Sequence, residues 1–422
     1  MTNESIKYPS YRWLILIAAA LSYINVQIVN LSITPILPHI AQDLGVDLGV
    51  ATNFMTVFLF SGNIVQLALG GVICDRFGIL KTLLVGLLCA IVPSVLMPWI
   101  GDSYTGVFYA RLVQGLSPGF IFPAMGPILA IWFPLKEKGL ATGLMSAGVA
   151  MGSFLGTMGG PYVFKMVDTW QKMTAWVTII GWIDLVFIIF LIASTKPQSP
   201  VQQTQDTMPP DRNMFKLALL APITIVGILV TFMSNWDMHC LYSLTPTFLS
   251  ADMPAGAGYG AIVSGQLMIN VTVVSGIFGP MILGLMVDRL FKGSTKEVFF
   301  IGFALMVVFM YTIKIPVIYG NKVLLSIALM MAGFGVQFVM PAIYIFISKS
   351  YRHQIVGKMT GLWMGIGAFG GVSGLYFAGR TLTFTGTYSI AFTLMSLAAL
   401  AGLVLSIVMP KLKTLAGSKK IG

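Results

Sequence analysis

Twelve apolar runs divide this chain from end to end, each about as long as a helix needs to cross roughly 30 Å of hydrocarbon. They lie near residues 11–36, 50–74, 81–100, 104–131, 139–164, 174–195, 216–249, 260–287, 297–318, 322–348, 355–379 and 386–409. Inside a bilayer every backbone N–H and C=O must be satisfied by the spanning segment itself or by a closed barrel, and the alternation that barrel strands need is absent from these runs. The expectation is an all-α polytopic membrane protein. Hydrophobic residues make up 57% of the 422 and charged residues 9%, which lies outside the range of ordinary soluble domains.

The second constraint is a duplication. Gly115, Pro123-Ala124, Gly139-x-x-Thr142-Gly143-Leu144, Gly152 and Gly156 recur 218 residues later as Gly333, Pro341-Ala342, Gly357-x-x-Thr360-Gly361-Leu362, Gly370 and Gly374. Gly71-x-x-x-Asp75-Arg76 recurs at an interval of 213 as Gly284-x-x-x-Asp288-Arg289. Internal repeats in an apolar chain point to a transporter built from two matching halves. We expect pseudo-symmetric six-helix bundles over 1–195 and 216–422, joined by a cytoplasmic linker over 196–215, a stretch rich in Pro, Gln and Asp.

Nineteen of the 25 Lys and Arg residues fall in, or at the run ends bordering, alternate inter-run segments that include both ends of the chain. The positive-inside bias therefore puts both termini in the cytoplasm, with the cell membrane as the expected location. The net charge of +11 is a topology signal, because its basic residues are scattered through short loops instead of gathered on a soluble face. No nucleic-acid partner is expected. The first run begins about ten residues in and is too long for a cleaved signal sequence, so it is read as the first helix.

Polar residues inside the runs are the candidate site. An Arg at the bilayer centre costs roughly 2.5–3.5 kcal/mol on insertion scales and survives only if it is paired or faces water, so Arg111 in run four must point into the bundle; a snorkelling or purely structural Arg is the alternative. Its repeat-equivalent is Leu329, which makes any such site asymmetric. Run seven holds Thr231, Ser234-Asn235-Trp236-Asp237-Met238-His239 and Tyr242. Asp237 and His239 could carry a proton, as could Asp184 in run six, or each could serve only as a structural polar group. In run one Tyr23, Gln27, Asn30 and Thr34 share a helical face. Gln266 and Asn270 in run eight and Gln337 and Tyr344 in run ten add uncharged donors and acceptors. Such groups either orient a polar substrate or bridge helices.

Several apparent motifs carry nothing. Gly365-x-Gly367-x-x-Gly370 fits a dinucleotide pattern but lies in an apolar run and follows no strand. Asn30-Leu31-Ser32 and Asn270-Val271-Thr272 fit a glycosylation pattern inside membrane runs. Cys74, Cys89 and Cys240 show no metal or disulfide spacing. No nucleophile, metal cluster or phosphate loop is apparent, so neither an enzyme nor a cofactor is expected.

Gly71 to Lys81 resembles the loop motif of the major facilitator superfamily, Gly-x-x-x-Asp-Arg-x-Gly-Arg-Lys, departing from it at Ile79 where Arg is usual. Gly284 to Lys292 resembles its second copy, with Phe291 in place of Gly, and Arg111-Leu112-Val113-Gln114-Gly115 matches the family's Arg-x-x-Gln-Gly element. The resemblance implies twelve helices and alternating access. It implies an inner gate formed by Gly71, Asp75, Arg76, Gly284, Asp288 and Arg289, with Asp75 at the start of helix eleven and Asp288 at the start of helix five. The region from Arg111 to Gly156 is similar to the organic-anion and carboxylate branches, which include anion:cation symporters and oxalate/formate and monocarboxylate carriers. The reading is proton-coupled (or sodium-coupled) uptake of a small organic anion by a monomer in the lipid bilayer. Arg111, Gln27, Asn30, Asn235, Tyr242, Gln266, Asn270 and Gln337 are taken as substrate contacts, and Asp237, His239 and Asp184 as proton carriers. Drug or metabolite efflux and a non-transporting sensor are the alternatives.

Overall fold

The computed structural model describes residues 9–194, 217–292, 294–351 and 353–409. Helices account for nearly all of them, with no strand among the described residues. Among the described residues ten helices are long and apolar enough to cross a membrane. Two more, of 29 residues (Pro222–Ser250) and 17 residues (Lys296–Thr312), fill the places of runs seven and nine. The protein is an all-α polytopic membrane protein.

We label the spans in chain order. In the first half these are α1 (Arg12–Leu31), α2 (Asn53–Phe77), α3 (Ile79–Ile100), α4 (Tyr104–Ile121), α5 (Leu135–Phe154) and α6 (Ile179–Ser194). In the second they are α7 (Pro222–Ser250), α8 (Gly260–Leu267, continuing as Gly276–Leu285), α9 (Lys296–Thr312), α10 (Lys322–Ser350), α11 (His353–Gly367, continuing as Phe369–Thr385) and α12 (Ser389–Val408). Residues with side-chain acceptors start two of them. Ser103 Oγ accepts from Gly106 N at the head of α4, and Asn321 Oδ1 accepts from Val323 N and Leu324 N at the head of α10. Each bond satisfies an N–H that the first helical turn leaves without a partner.

Three wide π turns interrupt or extend the spans among the described residues. Leu155–Gly159 follows α5, Asn270–Ser275 joins the two parts of α8, and Met286–Leu290 follows its second part. In the first, the ring of Pro161 would press on the carbonyl four residues back, and a widened turn relieves it. In the second, the Ser275 hydroxyl donates to Asn270 O at 2.8 Å and to Met330 O on α10 at 2.9 Å. The carbonyl released by the irregular turn is thereby satisfied.

By packing, the described residues form two compact units. One runs up to Ile33 and from Val57 to the end of α6; the other takes Thr34–Thr56 together with α7 onward. In the second unit Thr247 Oγ1 donates to Thr34 O at 2.8 Å. A short helix Leu48–Ala51 crosses α11 where a Cβ on Gly49 would fall 2.4 Å from Gly379 O. Asp47 caps that helix through Gly49 N and accepts from Thr383 Oγ1 at 2.9 Å.

Three pairs of matching glycines make like contacts in the two units. A Cβ on Gly115 would lie 2.2 Å from Ser61 Oγ of α2, and one on Gly333 would lie 2.4 Å from Ser275 Oγ beside α8. Gly86 of α3 meets Ile121 and Gly302 of α9 meets Val339, both at 2.6 Å. Gly152 rides on Ile24 O of α1, and Gly370 on Phe232 O of α7. Without side chains at these points the helix backbones come close enough to pack by dispersion alone, so the repeat seen in the sequence is a repeat of helix crossings.

Candidate functional site

Arg111 is the only buried Lys or Arg among the described residues, at 2% exposure. Its Nη1 donates to Val29 O at 2.9 Å and to Gln114 Oε1 at 3.0 Å, and its Nη2 lies 3.4 Å from Asn30 O. The guanidinium carbon stands 4.4 Å above the Phe58 ring. Val29 and Asn30 belong to the last turn of α1, where helix carbonyls lack intrahelical partners and the helix dipole favours a cation. Gln114, one turn from Arg111, passes the contact on by donating to Ser94 Oγ of α3 at 2.9 Å. Arg111 thus joins α4 to the end of α1.

The shared face on α1 points toward α4 and α5. Tyr23 OH donates to Phe122 O at 3.1 Å, and Gln27 Nε2 donates to Ser153 Oγ at 2.9 Å. Asn30 is buried and lends its backbone carbonyl to Arg111. Asn25 lies off this face and turns to α6, where it packs on Gly181.

In the second unit the structure brings Tyr242, Gln337 and the π turn of α8 together. Gln337 Nε2 donates to Tyr242 OH at 3.2 Å, and that hydroxyl reaches Val271 O at 3.5 Å. Asn270 opens the same π turn and donates through Nδ2 to Leu267 O at 2.9 Å. Asn235 is buried and bonds its own helix, Nδ2 to Thr231 O at 2.8 Å. Gln266 and Tyr344 are exposed.

Asp237 and His239 go separate ways, since two residues turn a helix by about 200°. The His239 imidazole packs against Gly371 of α11. Asp237 is fully buried, and neither carboxylate oxygen has a hydrogen-bond partner among the described residues. Asp184 in α6 is equally buried but accepts from Ser22 Oγ at 2.6 Å.

The side chains of Asp75 and Asp288 lie outside the described residues, as does the stretch 196–215, and so do the placements expected of them. Gly71 lies within α2. Arg76 and Arg289 are exposed. Gly284, and the glycines that begin α5 and α11, Gly139, Gly143, Gly357 and Gly361, would meet nothing within 4 Å if given a Cβ.

Sequence reasoning quoted Gln114 without a role, although its spacing from Arg111 puts both on one helical face. Ser153, Phe58 and the π turn of α8 carried no local signal. Tertiary contact alone makes them neighbours of the residues named above.

The Major Facilitator Superfamily profile matches residues 15–290. An Arabidopsis thaliana protein named "Probable anion transporter 3, chloroplastic" is 25% identical over 218 residues, which is 47% of this chain and 41% of the relative. Bacillus subtilis "Uncharacterized transporter YybO" is 28% identical across 45% of this chain and 42% of its own. The chain thus spans less than half the length of these two relatives. Cupriavidus necator "Probable sulfoacetate transporter SauU" is 24% identical over 94% of both chains. The crystal structure of a D-xylose-proton symporter superposes with a TM-score of 0.75 at 16% identity, covering 96% of this chain and 99% of that one, a likeness that speaks for the fold alone. With twelve spans and a duplicated set of helix crossings among its described residues, and a matching profile over well more than half its length, the chain belongs to the Major Facilitator Superfamily.

Proposed function

We propose that the chain is a secondary active transporter, not an enzyme, that moves a small organic anion across the cell membrane by alternating access. In this reading both termini are cytoplasmic and the bundles 1–195 and 216–422 rock about the linker 196–215. The observation that carries it is Arg111, a buried guanidinium held in a fixed orientation by helix-end carbonyls. A planar fork of N–H donors suits carboxylate and similar oxyanions better than a point charge does. Two relatives named for anion and sulfoacetate transport support the substrate class. Gln27, Asn30, Asn235, Tyr242, Gln266, Asn270 and Gln337 orient the substrate. Gly71, Asp75, Arg76, Gly284, Asp288 and Arg289 act at the inner gate.

Uptake is coupled to protons, with Asp237 the first carrier because its buried carboxyl has no hydrogen-bond partner among the described residues to hold a charge; His239 is the second. One proton entering with a monovalent anion moves no net charge, so a pH gradient drives accumulation and the membrane potential adds nothing.

The test is uptake into proteoliposomes from a panel of carboxylates and sulfonates. Arg111→Gln abolishes uptake while Arg111→Lys retains part of it. Asp237→Asn loses pH-driven accumulation yet still exchanges substrate across preloaded vesicles, because exchange needs no net protonation cycle. Wild-type rates in a folded Arg111→Gln protein would sink the anion reading, and undiminished pH-driven uptake in Asp237→Asn would remove that carboxyl from coupling.

A further inference from the structure

The seam between α1 and α6 holds polar atoms that bond to nothing described. Asn25 and Asp184 are both 0% exposed. Ser22 and Asn25 lie one turn apart on α1, as Gly181 and Asp184 do on α6, so the four residues face one another across the seam. A Cβ on Gly181 would fall 2.5 Å from Asn25 Oδ1, so only glycine admits the amide. The Ser22 hydroxyl donates to Asp184 Oδ2 at 2.6 Å. Asn25 Oδ1, Asn25 Nδ2 and Asp184 Oδ1 have no hydrogen-bond partner among the described residues. Buried polar atoms are nearly always satisfied by protein, water or an ion. Two orphan oxygens, Asn25 Oδ1 and Asp184 Oδ1, on facing side chains of one buried seam mark a place built for an occupant.

We propose that Ser22, Asn25 and Asp184 form a binding site for one monovalent metal cation of about sodium's size. Charge fixes the valence. Asp184 supplies a single negative charge, and a divalent ion would leave a net positive charge within the span, where charge is costly. Ligand chemistry fixes the kind of ion, since carboxylate, amide and hydroxyl oxygens are hard donors that suit alkali cations and offer nothing to a soft metal. A proton on Asp184 would neutralise the carboxyl but leave Asn25 Oδ1 unsatisfied, because no hydrogen bond joins the two side chains. A cation uses the oxygens of both. Asn25 sits one turn before Val29, whose carbonyl holds Arg111, so an ion bound there fastens to α6 the same helix that positions the guanidinium. The inference does not rest on the substrate reading, because it is tested by binding alone.

The experiment is thermal unfolding of the purified full chain in sodium, potassium or choline chloride at one ionic strength and pH. Sodium raises the melting temperature by a few degrees over choline, saturably, as any ligand that prefers the folded state does, and by more than potassium. Asp184→Asn and Asn25→Leu each remove that increment, Ser22→Ala weakens it, and Asp237→Asn, which deletes the other buried carboxyl, leaves it intact. Equal melting in all three salts overturns the site, as does a sodium shift that survives in both Asp184→Asn and Asn25→Leu. Stabilisation that follows pH and ignores sodium assigns the seam to a proton and overturns the cation. Should those variants fail to fold, equilibrium binding of radioactive sodium to the wild-type chain decides alone. One ion per chain supports the site, and none overturns it.

Discussion

Helices α4 and α10 arise from one repeated pattern and cross their neighbours in one way, yet only α4 carries a buried charge. Gly115 and Gly333 are pressed against serines at like places, and Ile121 and Val339 fill the space over Gly86 and Gly302. One turn before the crossing glycine, α4 has Arg111 and α10 has Leu329, both buried. The difference traces to the first helix of each unit. Ile24 and Phe232 occupy equivalent places under Gly152 and Gly370, but α1 stops at Leu31 while α7 runs on to Ser250. A helix that ends leaves carbonyls for a guanidinium, and one that continues has already used them. The scaffold was duplicated; the acceptor for a cation exists in one copy.

The harshest way to test this comparison is to break the shared crossing. Gly115→Val and Gly333→Val each drive a branched side chain into an atom about 2 Å away. Overpacking costs roughly 1–3 kcal/mol and sometimes more, so both variants should lose the monodisperse peak in size-exclusion chromatography. If one folds normally, the two crossings are not equivalent.

A sharper test exchanges the chemistry on the intact scaffold. Leu329→Arg places a guanidinium where α7 offers no helix end, at a cost of about 2.5–3.5 kcal/mol on insertion scales, and the melting temperature should fall well below that of wild type. Arg111→Leu removes charge-assisted hydrogen bonds worth roughly 1.5–3 kcal/mol each, and adding Leu329→Arg to it should not restore uptake. Restored uptake would show that the cation's unit is immaterial.

The smallest expected effect lies at the glycines that touch nothing. Gly143→Ala and Gly361→Ala add a methyl to open space and remove glycine's entropic penalty within a helix, so the melting temperature should hold or rise by an amount corresponding to about 0.5–1 kcal/mol. If these glycines close against other helices during transport, turnover falls while stability does not. Unchanged turnover in both would limit glycine's role to the crossings that are already packed.

Much of the fold was legible because the bilayer leaves a chain so few choices. Run length, the repeat and the Arg-x-x-Gln-Gly element each led to a feature of the structure, and the face shared by Tyr23, Gln27 and Asn30 does turn toward α4 and α5. The polar residues of run seven were less legible. Periodicity puts Asp237 and His239 on different faces, but which face meets α11 depends on how α7 is rotated in its bundle, and that is fixed by Gly367, Gly370 and Gly374 far along the chain.

The sequence by itself determined the number of spans, their twofold kinship and the positions of the intramembrane charges, because hydrophobic length and glycine spacing are local quantities. Only the tertiary structure decided what those charges meet. Arg111 found the carbonyls of a helix that ends, Asp184 found Ser22 beside an unpartnered amide, and Asp237 found no hydrogen-bond partner among the described residues. A buried charge owes its properties to atoms distant in sequence, and no window of neighbouring residues contains them.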